Sequence, residues 1–196
     1  MVKKENEDMM DFMWKKRICV YGAASDDIPE EIKKDCYELG KRLARKNHHL
    51  IFGAGSEGVM GAVAEGTYDF GGKIYGIAPT WMNKFEGIYP NCDSFIYTKS
   101  MDERKYLFKT FSDAFIIAPG GLGTMDELFD VTTLKKLDRF DKPIIIFNSQ
   151  GFYDDLLSFL QKMEKMGIVP SNEGLYEIAN SVDEIFEILE KKLESE

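Results

Sequence analysis

The chain has 196 residues, 44% of them hydrophobic and 30% charged, with a formal net charge of -9 and a pI near 4.9. That length and composition fit one soluble domain over 1–196, opened by a polar segment at 1–16. The acidic balance argues against a nucleic-acid or anionic-membrane partner, because either needs clustered Lys and Arg to displace counterions.

Segment 1–16 mixes Lys, Glu, Asp and Met without an apolar core of signal-peptide length, and no later run approaches a membrane span. A cytoplasmic protein is expected. Met9, Met10 and Met13, with Phe12 and Trp14, read as packing residues for the core or a partner subunit. Residues 17–21 read as a buried strand, and 29–46 as a helix with Ile32, Cys36, Leu39 and Leu43 on one stripe. The unit then repeats: strand 50–52, helix 58–70, strand 73–78, and strand 94–97 after an irregular stretch at 80–93. That stretch is long enough to be a lid or contact loop. Next come helix 101–111, strand 114–118, helix 125–137, strand 143–147 and helix 153–166; strand 176–179 and helix 182–193 follow. Short apolar strands alternating with helices predict an α/β fold with a parallel sheet covered on both faces. Cys19, Cys36 and Cys92 lack paired spacing, so neither a disulfide framework nor a metal site is expected.

Three loops follow strands, at 22–26, 53–58 and 119–124, and in a parallel sheet all three fall at the carboxyl edge, where ligands bind. The third is Pro119, Gly120, Gly121, Leu122, Gly123, Thr124, leading to Met125, Asp126 and Glu127. Its glycines let the backbone approach an anion, and the free amides and positive dipole end of the next helix face it. The second, from Gly53 through Gly55 to Gly58, spells G-x-G-x-x-G, but 20 residues on stand Ile77, Ala78, Pro79 and Thr80 instead of an acidic ribose ligand. A tight turn with close helix packing fits those glycines better than a dinucleotide site.

Thr124 and Glu127 also match a T-x-x-E capping box, and Ser100 and Glu103 an S-x-x-E one. The glycine approach is what a cap alone does not require. Arg104 shares a stripe with Leu107, Phe108 and Phe111, and a cation facing a core in a first helical turn needs an anionic partner. Lys105, a step round the helix, reads as solvated on pattern alone. His48 and His49 precede a buried strand at the edge away from the loops, which disfavours catalytic use.

With these residues in place, the chain resembles the phosphoribohydrolases of the Lonely Guy type, long mislabelled lysine decarboxylases, which release cytokinin bases from their riboside 5'-monophosphates. The family pattern P-G-G-x-G-T-x-x-E stands at 119–127, and its Arg-Lys pair stands as Arg104 and Lys105. The likeness runs from Arg17 to about Tyr153. It implies catalytic roles for Arg104 and Glu127 and phosphate or substrate contacts from Lys105, Gly120, Gly121, Leu122, Gly123 and Thr124. Glu86 and Thr133 would complete the nucleotide site, with loop contacts from Gly22, Ser25, Gly53 and Gly55. The fold implied is a Rossmann-like, three-layer, doubly wound sheet in a single domain, forming a homodimer with no metal or other cofactor. Two loops depart from the family. The first loop, usually C-G-S-S, is Tyr21, Gly22, Ala23, Ala24, and Ala54 stands where a third glycine is common.

The expected reaction is hydrolysis of the N-glycosidic bond of an N6-substituted adenine nucleoside 5'-monophosphate, giving free base and ribose 5-phosphate. Glu127 would stabilise the oxocarbenium-like sugar and position water, while Arg104 orients Glu127 or the phosphate. Two alternatives stand beside it: a nucleotide-binding or carrier protein without catalysis, and a nucleosidase preferring AMP. A pyridoxal-phosphate decarboxylase needs a Schiff-base lysine and a partner for the pyridine nitrogen, and no such pair stands out.

Overall fold

The computed structural model describes residues 15–85, 87–169 and 171–193. The expected packing residues of 1–14, Glu86 and Pro170 lie outside them. Seven parallel strands form one sheet: β1 (Arg17–Tyr21), β2 (His49–Phe52), β3 (Ile74–Pro79), β4 (Ser94–Thr98), β5 (Ala114–Ile117), β6 (Ile144–Phe147) and β7 (Glu177–Ala179), in the order β4-β3-β2-β1-β5-β6-β7. The helices between them are α1 (Glu30–Arg45), α2 (Gly58–Asp69), α3 (Met101–Phe111), α4 (Leu122–Lys136), α5 (Asp154–Lys165) and α6 (Val182–Leu193).

Alternation along the strands decides which helix packs where. Ile18 and Val20 of β1 face one layer with Leu39 of α1, Val63 of α2 and Leu189 of α6. Cys19 and Tyr21 face the other, with Phe108 of α3 and Leu128 and Val131 of α4. Both faces of the sheet are therefore buried, which is why its strands read as unbroken apolar runs such as Ala114 to Ile117. The doubly wound, three-layer architecture agrees with the sequence reading, and nearly every element falls where periodicity puts it. The exception is α4, which starts at Leu122 and not at 125. Among the described residues no helix is long and apolar enough to cross a membrane.

β1 pairs with β2 on one side and with β5 on the other. The chain reverses its direction of travel across the sheet there, so α1 after β1 and α4 after β5 run back over opposite faces and leave a crevice at the carboxyl ends of the two strands. His48 and His49 lie at the opposite edge, where His48 stacks on Phe186.

Candidate active site

The crevice is closed by the three glycine loops leaning on one another. The Ala23 N–H donates to the Pro119 carbonyl at 3.0 Å, and the Met60 N–H donates to the Ala23 carbonyl at 3.1 Å. A Cβ on Gly58, which has φ +60, would come within 2.2 Å of the Ser25 carbonyl. Here the G-x-G-x-x-G glycines serve tight turning and close packing, as the sequence suggested. Ala54, at φ +66, holds a left-handed conformation that a glycine would adopt freely.

Between the loops lies a cavity of about 230 Å³, lined by Gly22, Ala23, Ala24, Ser25, Gly53, Gly121, Gly123, Thr124, Arg104 and Glu127, among others. The α4 helix presents its first turn to it. Gly121, in extended conformation, is the N-cap, and no side chain caps the helix. The capping-box reading of Thr124 and Glu127 is therefore corrected: both stand inside the helix, one turn apart. The reason lies in the glycines. Nothing comes within 4 Å of where a Cβ on Gly121 or Gly123 would be, so the first-turn amides stay approachable from the cavity. The Ser100 cap does form, with Ser100 Oγ accepting from the Glu103 N–H at 3.1 Å.

The buried residues of α4 are Thr124, Glu127, Leu128 and Val131, a helical stripe with a carboxylate in it. Opposite, α3 buries only Arg104 and Phe108. Arg104 Nη2 lies 3.9 Å from Glu127 Oε1, with both side chains 8% exposed. That separation is an ion pair beyond hydrogen-bond length, so the anionic partner inferred for Arg104 is Glu127. The guanidinium lies over the Phe108 ring at 5.3 Å, and its Nη1 reaches Met101 Sδ at 3.8 Å. Its Nε is buried without a hydrogen-bond partner among the described residues. A buried pair with donor capacity to spare suits an anion-handling site better than a purely structural bridge.

The other expected residues divide. Gly22, Ser25 and Gly53 line the cavity. Gly55 borders a neighbouring recess. Gly120 supports Thr124: a Cβ there would meet Thr124 Oγ1 at 2.1 Å. Leu122 is 91% exposed. Lys105 faces away, its Nζ 3.0 Å from Asp126 Oδ2, and that carboxylate raises its pKa. Thr133 borders a separate crevice between α4 and α5, with Phe129, Leu160 and Met163. Glu86 is outside the described residues. No group of three or more His, Cys, Asp or Glu among the described residues could hold a metal ion.

Three contributors, Met60, Met101 and Tyr153, escaped the sequence reading. Met60 and Met101 wall the cavity, and Tyr21 also lines it. Burial, with Cys19 and Glu127 nearby, pushes the Tyr21 phenol up, so it stays a neutral hydroxyl. Tyr153 acts from behind the glycine loop. Its hydroxyl donates to the Ala118 carbonyl at 2.7 Å, just before the loop turns, and its own N–H is held by Asn148 Oδ1 at 2.7 Å. Burial pushes this phenol up too, while a bond from the Gly120 backbone pulls the other way. Only spatial proximity reveals such a support, because Ala118 and Tyr153 are distant in sequence.

A family model described as "Possible lysine decarboxylase" matches residues 60–192. The chain is 35% identical over 176 residues, 89% of its length and 70% of the relative's, to "Probable cytokinin riboside 5'-monophosphate phosphoribohydrolase LOGL6" of Oryza sativa subsp. japonica. It is 34% identical over 176 residues, 89% of its length and 83% of the relative's, to "Cytokinin riboside 5'-monophosphate phosphoribohydrolase LOG1" of Arabidopsis thaliana. Among solved structures, the molybdenum cofactor binding protein of Rippkaea orientalis matches with TM-score 0.71 and 25% identity, over 92% of this chain and 99% of that one. The glycine loop, the buried Arg104–Glu127 pair and these likenesses agree, and the chain belongs to the Lonely Guy type family of phosphoribohydrolases, which the older lysine decarboxylase description also covers.

Proposed function

We propose that this protein hydrolyses the N-glycosidic bond of an N6-substituted adenine nucleoside 5'-monophosphate, releasing the base and ribose 5-phosphate. The observation that carries this reading is the Glu127 carboxylate, buried beside Arg104 one helical turn from the glycine-loop amides. The 5'-phosphate sits on the first-turn amides of α4, with Gly121, Gly123 and Thr124 around it. Anchoring it there places C1' of the ribose near Glu127, so phosphate binding is converted into alignment of the reacting carbon.

As the C1'–N9 bond breaks, its electron pair leaves with the base and positive charge builds on the sugar. The carboxylate of Glu127 stabilises that charge and accepts a proton from the attacking water, whose oxygen bonds to C1'. The departing base takes up a proton. Arg104 orients Glu127 from 3.9 Å. In this reading the protein is a cytoplasmic homodimer over one domain spanning 1–196, Lys105 and Thr133 act only where a bound nucleotide or a second copy brings them to the site, and Glu86 completes the nucleotide site.

The test is chromatographic detection of free base and ribose 5-phosphate after incubation with N6-isopentenyl-AMP and with AMP. Release by wild type and none by Glu127→Gln, with nucleotide affinity kept, is the expected result. A second reading, a nucleotide-binding or carrier protein without catalysis, shares its fold with a cofactor-binding protein but is not favoured by the phosphoribohydrolase relatives; it predicts binding with no release of base. Wild-type turnover in Glu127→Gln would remove the assignment of Glu127.

A further inference from the structure

The Glu127 cavity, at about 230 Å³, falls below the range of roughly 300–1,000 Å³ usual for small-molecule sites. A second recess of about 290 Å³ adjoins it, sharing Ala24 and Ser25 and running past Gly55, Ser56 and Glu57 to Phe85. Its outer wall, from the stretch between β3 and β4, is pinned down. The Ser56 N–H donates to the Gly87 carbonyl at 2.9 Å, the Tyr89 N–H donates to the Ala54 carbonyl at 2.9 Å, and Gly55 and Ile88 form an antiparallel bridge. A Cβ on Gly87 would lie 2.3 Å from Ser56 Oγ, so the wall rests directly on the second glycine loop. The recess is preformed.

The two chambers differ in chemistry. The first offers the Arg104 guanidinium and helix amides. The second is bordered by the Glu57 carboxylate, the Ser56 hydroxyl and the Asp26 carboxylate, which pairs with Lys33 at 2.9 Å, and none of its described lining residues is a Lys or Arg. The guanidinium and helix amides make the first chamber the better phosphate site, and the Glu57 carboxylate disfavours a phosphate in the second. An adenine, with an amino group and ring edge to offer, suits the acceptors of the second. With the ribose at Glu127, the base extends past Ser25 toward Ser56, and its N6 edge leads on to the Phe85 rim. There Phe85, 76% exposed, meets Trp81, 39% exposed, edge to face at 6.1 Å. Large exposed aromatics touching each other beside a polar recess offer apolar area to a ligand group that leaves the recess.

We propose that Trp81 and Phe85 form the contact surface for the N6 substituent of the bound nucleotide and set the preference for N6-alkylated over plain adenine. This rests on the phosphoribohydrolase reading above. Ser56 and Glu57 hold the adenine in either substrate; the aromatic pair touches only what N6 carries.

The experiment compares kcat/KM for N6-isopentenyl-AMP and for AMP in wild type, Phe85→Ser and Trp81→Ser, with sedimentation velocity on each. Both side chains are exposed enough for the variants to fold. In each variant the preference for the N6-isopentenyl substrate drops about tenfold, the scale on which apolar contacts discriminate, and turnover of AMP stays as in wild type. An unchanged ratio with turnover intact overturns the subsite alone. So does a wild type that prefers AMP, or a changed oligomeric state with an unchanged ratio, which gives the aromatic pair to a second copy of the chain. Release of base from neither nucleotide by wild type overturns the hydrolase reading, and the subsite falls with it.

Discussion

A Cβ on Gly53 would come within 2.1 Å of Arg104 Nη2. The guanidinium therefore lies across bare backbone at the end of β2, and the missing side chain is what lets it reach toward Glu127. Gly53 lies outside the left-handed region, so alanine brings no backbone strain, and the atom it meets is the far end of a flexible side chain. In Gly53→Ala the fold is kept and Arg104 is displaced. Turnover is expected to fall about a hundredfold, as for displacements near 1 Å in a reacting site, with little change in melting temperature. Steady-state kinetics beside thermal unfolding check this, and normal turnover would show that Arg104 works from elsewhere.

Tyr153→Phe tests the support behind the glycine loop. Losing the hydroxyl leaves the Ala118 carbonyl, in a fully buried residue, without that donor, and the expected loss of stability is about 1–2 kcal/mol. Packing alone would stop there. If Tyr153 also positions the loop, KM for the nucleotide rises severalfold while kcat changes less, because in the proposed function the loop holds the phosphate and Glu127 lies a turn further into α4. A stability loss with KM unchanged would restrict Tyr153 to the core.

Most of the fold was legible because both sheet faces are buried, so strands appear as apolar runs and helices as stripes. Arg104 was legible for the same reason, as a charge on an apolar stripe. The start of α4 was not. Leu122 is almost wholly exposed and gives no periodic signal, and Thr124 with Glu127 imitates a cap that Gly121 makes unnecessary. Gly53 and Tyr153 were opaque in another way: their roles are set by Arg104 and Ala118, which only folding brings near. The glycine motif showed where an anion could approach, yet spacing could not separate Gly121 and Gly123, which face open space, from Gly120, which makes room for Thr124.

At the opposite edge of the sheet, Asp113 accepts from the Arg17 backbone N–H at 2.7 Å and from its Nε and Nη2 at 3.2 and 2.9 Å. Burial alone would raise the carboxyl, but these bonds outweigh it and hold Asp113 below the ordinary carboxylate value. The sign follows from the lowered folded pKa. The stabilisation is complete above the unfolded value of about 4 and is lost as pH falls through the folded one. Asp113→Asn should cost about 1 kcal/mol at pH 7, a gap that narrows toward pH 3. Urea unfolding at both pH values measures it; a gap independent of pH would mean that charge plays no part.

The packing of α1 on α2 depends on two reciprocal glycines. A Cβ on Gly66 would lie 2.0 Å from the Tyr37 carbonyl, and one on Gly40 would lie 2.0 Å from the Val63 carbonyl. These neighbours are backbone atoms of the facing helix, so neither contact can be relieved by a rotamer change; the helices must separate. Gly66→Ala should therefore destabilise by about 3 kcal/mol, the upper end for overpacking, although alanine is the better helix former by about 1 kcal/mol. Gly123→Ala makes the same change in α4 with nothing within 4 Å, and its stability should hold or rise slightly. Melting temperatures of the two variants separate steric fit from helix propensity. A drop of roughly 6–12 °C for Gly66→Ala alone is expected, whereas equal small shifts in both would mean that α1 and α2 do not touch as closely as their glycines indicate.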